Sequence, residues 1–337
     1  MTMQAYTFTL KPLSAFATEL KGDTLFGQLC WAIRNRFGEA RLIELLQGYT
    51  DGLPFAVVSD AFPRGHVPKP TVPNWFFADA DPEQRKLLKK KIWMPLEQIG
   101  KPLPQWQQAC KAPGELFPEP VLEGKPAKKW QMEDIQPHNT INRMTGTTGT
   151  GEFAPYSMTQ HWFKQDVLLD CHIVLDTEKL PLDELNECLQ DIGHFGFGKD
   201  ATIGAGKFEL AGEPQPMIRP VVHDVDVCLT LAPCAPQGLG FDTGRSFYQP
   251  FTRFGRHGDI AVHKEGKPFK NPVLLAQTGA IMGASPDSLF IGQGLGGTRQ
   301  KLSNAIDATV HQGYAPVLPV CLSAAITAKL DELEQAA

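Results

Sequence analysis

A chain of 337 residues exceeds the usual domain of about 100 to 200 residues and points to two domains. Its 42% hydrophobic and 20% charged residues fit a soluble globular protein with sizeable cores, and it holds no apolar run of the roughly 18 residues needed to cross a bilayer. A net charge of -5 excludes a protein that coats nucleic acid with its whole surface and leaves room for local basic grooves.

Residues Ala5 to Lys11 alternate Tyr6, Phe8 and Leu10 with smaller or polar neighbours, the period of a half-buried strand. Asp23 is a good helix cap, and behind it Phe26, Leu29, Cys30, Ile33 and Phe37 recur at helical spacing, so a helix follows with one face on a sheet. Phe55 to Val58, bounded by Pro54 and Asp60, reads as a second strand. From Phe62 to Gly151 the pattern lapses into proline, glycine, lysine and tryptophan, and so long an aperiodic stretch suggests a functional or flexible insertion rather than scaffold. Order returns with a strand over Asp166 to Leu175. Pro181 then opens a helix carrying Leu182, Leu185, Leu189 and Ile192 on one face, with Gly193 as its stop, and Lys207 to Leu210 forms a last strand. This β-α-β, insertion, β-α-β order over residues 1–215 is the split motif of ferredoxin-like domains. Residues 216–337 add strand-like runs at Val225 to Leu231, Val273 to Ala276, Leu289 to Ile291 and Val317 to Leu322, with poor helical signals. The expected fold class is α+β, with two ferredoxin-like (RRM-like) domains. The first, 1–215, carries an insertion or thumb region at 62–160 and a glycine-rich loop at 193–206; the second is 216–337.

The cysteines, from Cys30 to Cys321, include no C-x-x-C pair and are expected to be buried reduced thiols rather than a disulfide framework or a zinc site. The opening MTMQAYTFTLK has no positive start followed by an apolar core, so a cytoplasmic location is expected. Positive charge gathers at Arg85 to Lys91, at Lys125, Lys128, Lys129 and Arg143, and between Arg245 and Lys270; any one run alone reads as a solvated face.

Gly193 to Gly206 places five glycines in fourteen residues between a helix and a strand. Glycine permits positive φ and close backbone approach, so Gly196, Gly198, Gly204 and Gly206 could turn amides toward phosphate, with Lys199, Thr202 and Lys207 beside them. The segment fits G-x-G-x-x-G/A formally, but that fingerprint follows a strand and opens a helix, the reverse of the order here. Gly292 to Gly297 fits it better and raises an unrelated nucleotide-binding enzyme, although a packing or partner-contact loop suits it more. His138 to Gly151, with Asn139, Asn142 and Arg143, has the donors, hydroxyls and glycines of an exposed hairpin reaching a phosphate backbone. Lys21 stands at the start of the first helix, where orphan amides favour phosphate. His161, His172 and His194 could serve acid–base cleavage of RNA, but His172 lies inside a strand and no carboxylate has metal-site spacing. No catalytic residue, metal or cofactor is expected.

Taken together, Lys21-Gly-Asp-Thr-Leu-Phe26, the stretch Pro54 to Pro63 with Pro68-Lys69-Pro70, Asn139 to Gly146, and the glycine-rich loop before Phe208-Glu209-Leu210 resemble the RAMP superfamily. The resemblance is greatest to its Cas-five group, the fourth subunits of Csm-type (type III-A) CRISPR complexes. His311 to Val320 is a weaker match, and residues 75–130 and 235–300 match nothing recognisable. The resemblance implies a non-catalytic, RNA-binding subunit of a type III interference complex in antiviral defence. Such a subunit binds the 5′ handle of CRISPR RNA, contacts a large polymerase-like subunit, and caps a filament of backbone RAMP subunits. Asn139 to Gly151 would be its thumb-like hairpin. Asp200 and Thr202 depart from the basic or small residues of related loops. The alternative is a metal-independent endoribonuclease that processes precursor CRISPR RNA through His161 or His194.

Overall fold

The structure, a computed structural model, describes residues 2–77, 85–116, 130–258, 269–284, 287–297 and 300–335. The N-terminal unit begins with β1 (Met3–Pro12), α1 (Gly22–Phe37), α2 (Glu39–Leu45) and β2 (Ala56–Pro63). The insertion holds the short pair β3 (His66–Pro68) and β4 (Trp93–Pro95), the short helices α3 (Arg85–Lys90) and α4 (Trp106–Ala109), and a long hairpin of β5 (Gln131–His138) and β6 (Tyr156–Phe163). β7 (Leu169–Asp176), α5 (Leu182–Phe195) and β8 (Phe208–Leu210) complete the unit. Its sheet runs β2-β7-β1-β8, antiparallel throughout, with β9 (Gln215–Pro216) added to β1. The expected β-α-β, insertion, β-α-β order is therefore present in the N-terminal unit. The stripe read on the first helix is its buried face: Leu25, Phe26, Leu29 and Ile33 pack with Phe8, Leu10, Ile173 and Leu189 in one core.

α5 continues two residues past the expected stop. Gly193 stays helical because it lets the last turn close on β8, where an added Cβ would lie 2.3 Å from the Phe208 carbonyl oxygen. The helix ends instead at Gly196, whose φ of 104° only glycine adopts freely.

The C-terminal unit contains β10 (Val227–Thr230), β11 (Asp242–Phe247), β12 (Pro250–Arg253), β13 (Val273–Ala276), β14 (Ile281–Gly283), β15 (Phe290–Gly296), β16 (Val310–Val320) and α6 (Ala324–Gln335). Its main sheet runs β11-β14-β10-β16-β15, and β12 pairs with β13 as a separate ribbon. Among the described residues no helix lies between these strands, so the second unit does not display the βαββαβ order expected of it. The chain is a mixed α+β protein built on antiparallel sheets. The Gly292 to Gly297 motif opens no helix: Gly292 to Gly296 lie in β15, paired with β16 from Tyr314 to Val310. An added Cβ at Gly292 would meet the Gly313 carbonyl oxygen at 2.1 Å, and one at Gly294 the Tyr49 carbonyl oxygen at 2.5 Å. These glycines let backbones touch and form no phosphate loop.

The aperiodic insertion is scaffold in large part. Met94, Ile99, Leu103 and Trp106 are fully buried and join Val227, Leu229, Leu318 and Val320 in a second core. The face of the N-terminal sheet away from its helices is covered along β7. His172 there is 2% exposed and bonds Thr7 at 2.9 Å, and burial pushes its pKa down to about 4. Base stacking on an open sheet face, the usual RRM mode, has no room on this strand. The described cysteines are all free thiols, and burial pushes Cys171 and Cys234 up to about 12.

Two acidic residues of the recognised motifs clasp the units together. Asp60, at the register break in β2, accepts hydrogen bonds from the Gly22 amide (2.8 Å), Lys21 Nζ (3.0 Å) and Thr278 Oγ1 (2.7 Å). Asp23 is not the helix cap that its position suggests; Lys21 holds that place, and Asp23 sits in the first turn, buried. There it receives Arg253 Nε at 2.7 Å and Nη2 at 3.1 Å, with His311 Nε2 at 3.4 Å. Burial alone would raise its pKa, but His311 and Arg253 outweigh burial and hold it at about 2. A carboxylate depressed from 3.8 to about 2 contributes about 2 kcal/mol above the unfolded value, and this is lost as pH falls from about 4 through 2. Urea unfolding followed from neutral to strongly acidic pH is expected to show that decline in the wild type and a flatter one in Asp23→Asn.

Candidate nucleic-acid interface

The segment from Leu13 to Thr18, between β1 and α1, gathers three parts of the chain. On one side Phe16 exchanges both backbone hydrogen bonds with His161 of β6. On the other side it receives the glycine-rich loop: the Gly206 amide donates to the Ala15 carbonyl (2.7 Å), the Lys207 amide to Ser14 Oγ (2.9 Å) and the Lys199 amide to Thr18 Oγ1 (2.9 Å). The third part is the start of α1, where Lys21 stands three residues after Thr18. At the far end of the hairpin His138 stacks on Tyr156 with planes 7° apart, and its Nε2 lies 3.6 Å from Asp200 of the loop. The hairpin, the glycine-rich loop and the helix start, identified separately in the sequence, therefore share one surface.

The loop is built differently from the phosphate cradle expected of it. Gly196, Gly198, Gly204 and Gly206 all have positive φ, as does Asp200 at 61°. Many of the loop amides, however, point inward. Gly196 caps α5 through the Ile192 carbonyl, Phe197 donates to the Gly206 carbonyl, and Gly204 and Ala205 donate to Ala201 and Asp200. Phe197 is fully buried and pulls the loop onto the core. The outward groups are side chains: Lys199 and Thr202 are exposed, with Ile203 beside them. Lys207 is half-buried.

Arg143 and Asn139 are exposed on the hairpin loop, and among the described residues no carboxylate lies within ion-pair distance of Arg143. Asn142 closes the tip instead of facing outward; its Oδ1 accepts the Met144 amide at 2.9 Å, and its own amide donates to the Thr147 carbonyl at 3.0 Å. Lys21 is committed to Asp60, whose charge raises the Lys21 pKa, so little of its charge is left for phosphate. The basic residues Lys125, Lys128 and Lys129 lie outside the described residues.

Between hairpin base and helix start lies a cleft of about 280 Å³, lined by Thr18, Lys21, Trp93, Trp130, His161 and Phe163 among others. The sequence singled out neither tryptophan, because both stand in the aperiodic insertion. His161 Nδ1 lies 3.2 Å from Gln131 Nε2 and 3.9 Å from Glu133 Oε1, whereas His194 is exposed at the end of α5 with its ring edge-on to Phe195. The two histidines stand on different elements, and no contact joins them into an acid–base pair.

No protein-family model and no curated protein sequence matches the chain. Solved structures do match. The chain is similar to one in the crystal structure of a Csm1-Csm4 cassette in complex with pppApA, at 17% identity and TM-score 0.53, over 95% of this chain and 99% of that one. It is similar also to one in the crystal structure of a Csm3-Csm4 subcomplex of the type III-A CRISPR-Cas interference complex, at 13% identity and TM-score 0.58, over 94% and 99%. Csm4 is the component that the two assemblies have in common. Over nearly its whole length, then, the chain shares its fold with a chain in each of these two Csm4-containing structures.

Proposed function

We propose that the chain is a non-catalytic subunit of a type III CRISPR ribonucleoprotein, acting in antiviral defence in the cytoplasm. It holds the 5′ handle of CRISPR RNA along the surface shared by the β5–β6 hairpin, the glycine-rich loop and the start of α1. Arg143, Lys199 and Lys207 meet phosphates, Thr202 and Asn139 supply neutral donors, and Asn142 and the loop glycines hold the shape. Lys21 acts mainly through the Asp60 clasp. The two RAMP units, 1–215 and 216–337, cap the filament of backbone subunits beside the large polymerase-like subunit. The observation that carries this reading is the convergence of the hairpin and the glycine-rich loop, joined at His138 and Asp200 and on the segment from Leu13 to Thr18. Its support for partners is that structures with this fold hold Csm4 together with Csm1 in one case and Csm3 in the other.

Handle-bearing RNA titrated into the assembled complex at several salt concentrations tests the reading. Arg143→Ala and Lys199→Ala should each weaken binding and flatten the log-log salt slope by roughly 0.7, one phosphate contact apiece. His161→Ala with His194→Ala should leave CRISPR RNA length unchanged. Unaltered affinity and slope in both basic variants would overturn the placement of the RNA, and accumulating precursor in the histidine pair would restore the nuclease.

A further inference from the structure

The third basic stretch, Arg245 to Lys270, is not used by this reading, yet the structure divides it sharply. Arg245 meets Asp242 and Asp331, and Arg253 is spent on Asp23. Along β12 and its extension the side chains alternate. Phe251, Arg253 and His257 turn inward, His257 to Ser303 at 2.6 Å, while Thr252, Phe254 and Arg256 face solvent. Across the ribbon Thr252 pairs with Leu274, and Arg256 bridges to Phe269. The outer face thus presents Phe254 at 73% exposure, Phe269 at 58% and Leu274 at 55%, with the Arg256 guanidinium 5.7 Å from the Phe269 ring centroid. Among the described residues no carboxylate lies within ion-pair distance of Arg256.

We infer that the outer face of the β12–β13 ribbon is a stacking platform for single-stranded RNA, with Phe254 and Phe269 taking bases and Arg256 the adjoining phosphate. Two observations favour RNA over a protein partner. The platform combines flat rings with a guanidinium that has no carboxylate within ion-pair distance among the described residues, which suits a polyanion bearing π-faces and gives affinity without sequence preference. It is also close to the groove described above. The Lys199 amide rests on Thr18 and Arg253 rests on Asp23, and the five-residue step from Thr18 to Asp23 spans at most about 18 Å. The ribbon is thus anchored near Thr18 through Arg253, and a strand leaving the glycine-rich loop would pass round its edge to reach Phe254 on the opposite face.

This inference rests on the RNA-binding reading, and two probes separate them: a short oligouridylate that fills only the groove and a long one that can reach both surfaces, each titrated with the full chain at low salt. Phe254→Ala should weaken the long oligomer about tenfold and leave the short one unchanged. Phe254→Tyr should restore affinity, whereas Phe254→Leu, apolar but not flat, should not. Arg256→Ala should weaken and flatten the salt slope for the long oligomer only, and Arg143→Ala should weaken both. If Phe254→Ala and Arg256→Ala bind the long oligomer normally while Arg143→Ala does not, the platform is refuted and the groove stands. If the wild type binds neither oligomer, both readings fall. Phe254 is largely exposed, so its replacement leaves the fold intact, which a thermal melt verifies.

Discussion

Asp60→Ala is expected to destabilise the chain by about 3 to 5 kcal/mol, as removal of one partner from a buried ion pair does. The carboxylate is 4% exposed and is the shared acceptor for Lys21, the Gly22 amide and Thr278, so its loss strands donors on both units at once. The backbone there is tightly packed as well, since an added Cβ at Gly22 would stand 2.2 Å from the Val58 carbonyl oxygen. Asp60→Asn keeps the shape and one acceptor and should fall between alanine and wild type. Lys21→Ala is the informative companion. If Lys21 serves the clasp, its urea midpoint drops with little change in RNA affinity per folded molecule; if it grips phosphate, the reverse holds.

The second large effect is expected in the glycine-rich loop, where two substitutions of the same kind should differ. An added Cβ at Gly206 would lie 2.1 Å from the Phe197 carbonyl oxygen at φ 73°, in the contact that closes the loop. Gly206→Ala should expel Phe197 from the core and cost about 3 kcal/mol or more, the scale of losing a buried Phe. Gly204 has open space around it, so Gly204→Ala should meet only the left-handed penalty at φ 98°, roughly 1 to 2 kcal/mol. Gly198 resembles Gly206, since its added Cβ would lie 2.5 Å from Thr18. Denaturant midpoints rank the variants. Folded Gly204→Ala is expected to bind RNA normally, because the Gly204 amide already donates to the Ala201 carbonyl.

The N-terminal unit was legible from the one-sided burial of β1 and the helices and from short apolar runs at β2 and β7, which are buried on both faces. The alternation at Tyr6, Phe8 and Leu10 and the stripe from Phe26 to Ile33 are the direct imprint of a sheet with helices on it. Legibility falls off where a strand buried on both faces is also interrupted by glycine and proline. β16 spans eleven residues, nearly all buried, so it shows no alternation, and Gly313, Pro316 and Pro319 break up its run. Those features shortened the expected strand to its last part. The insertion failed for another reason: short strands and 3-10 turns carry no period, yet Trp106 and Met94 are core residues there. At the site, the hairpin and loop were found from glycine and hydroxyl content, but the clasp between Lys21 and Asp60 was not legible, because the two are distant in sequence and only the fold joins them.

The most direct test of the central claim is photocrosslinking of the affinity-purified native assembly, with the RNA sequenced and the crosslinked peptides identified. The account predicts CRISPR RNA whose handle nucleotides crosslink to the peptides holding His138 to Arg143 and His194 to Lys199, in company with the large and backbone subunits. An assembly in which the handle crosslinks to neither peptide, or a chain purified without RNA or partners, would contradict it.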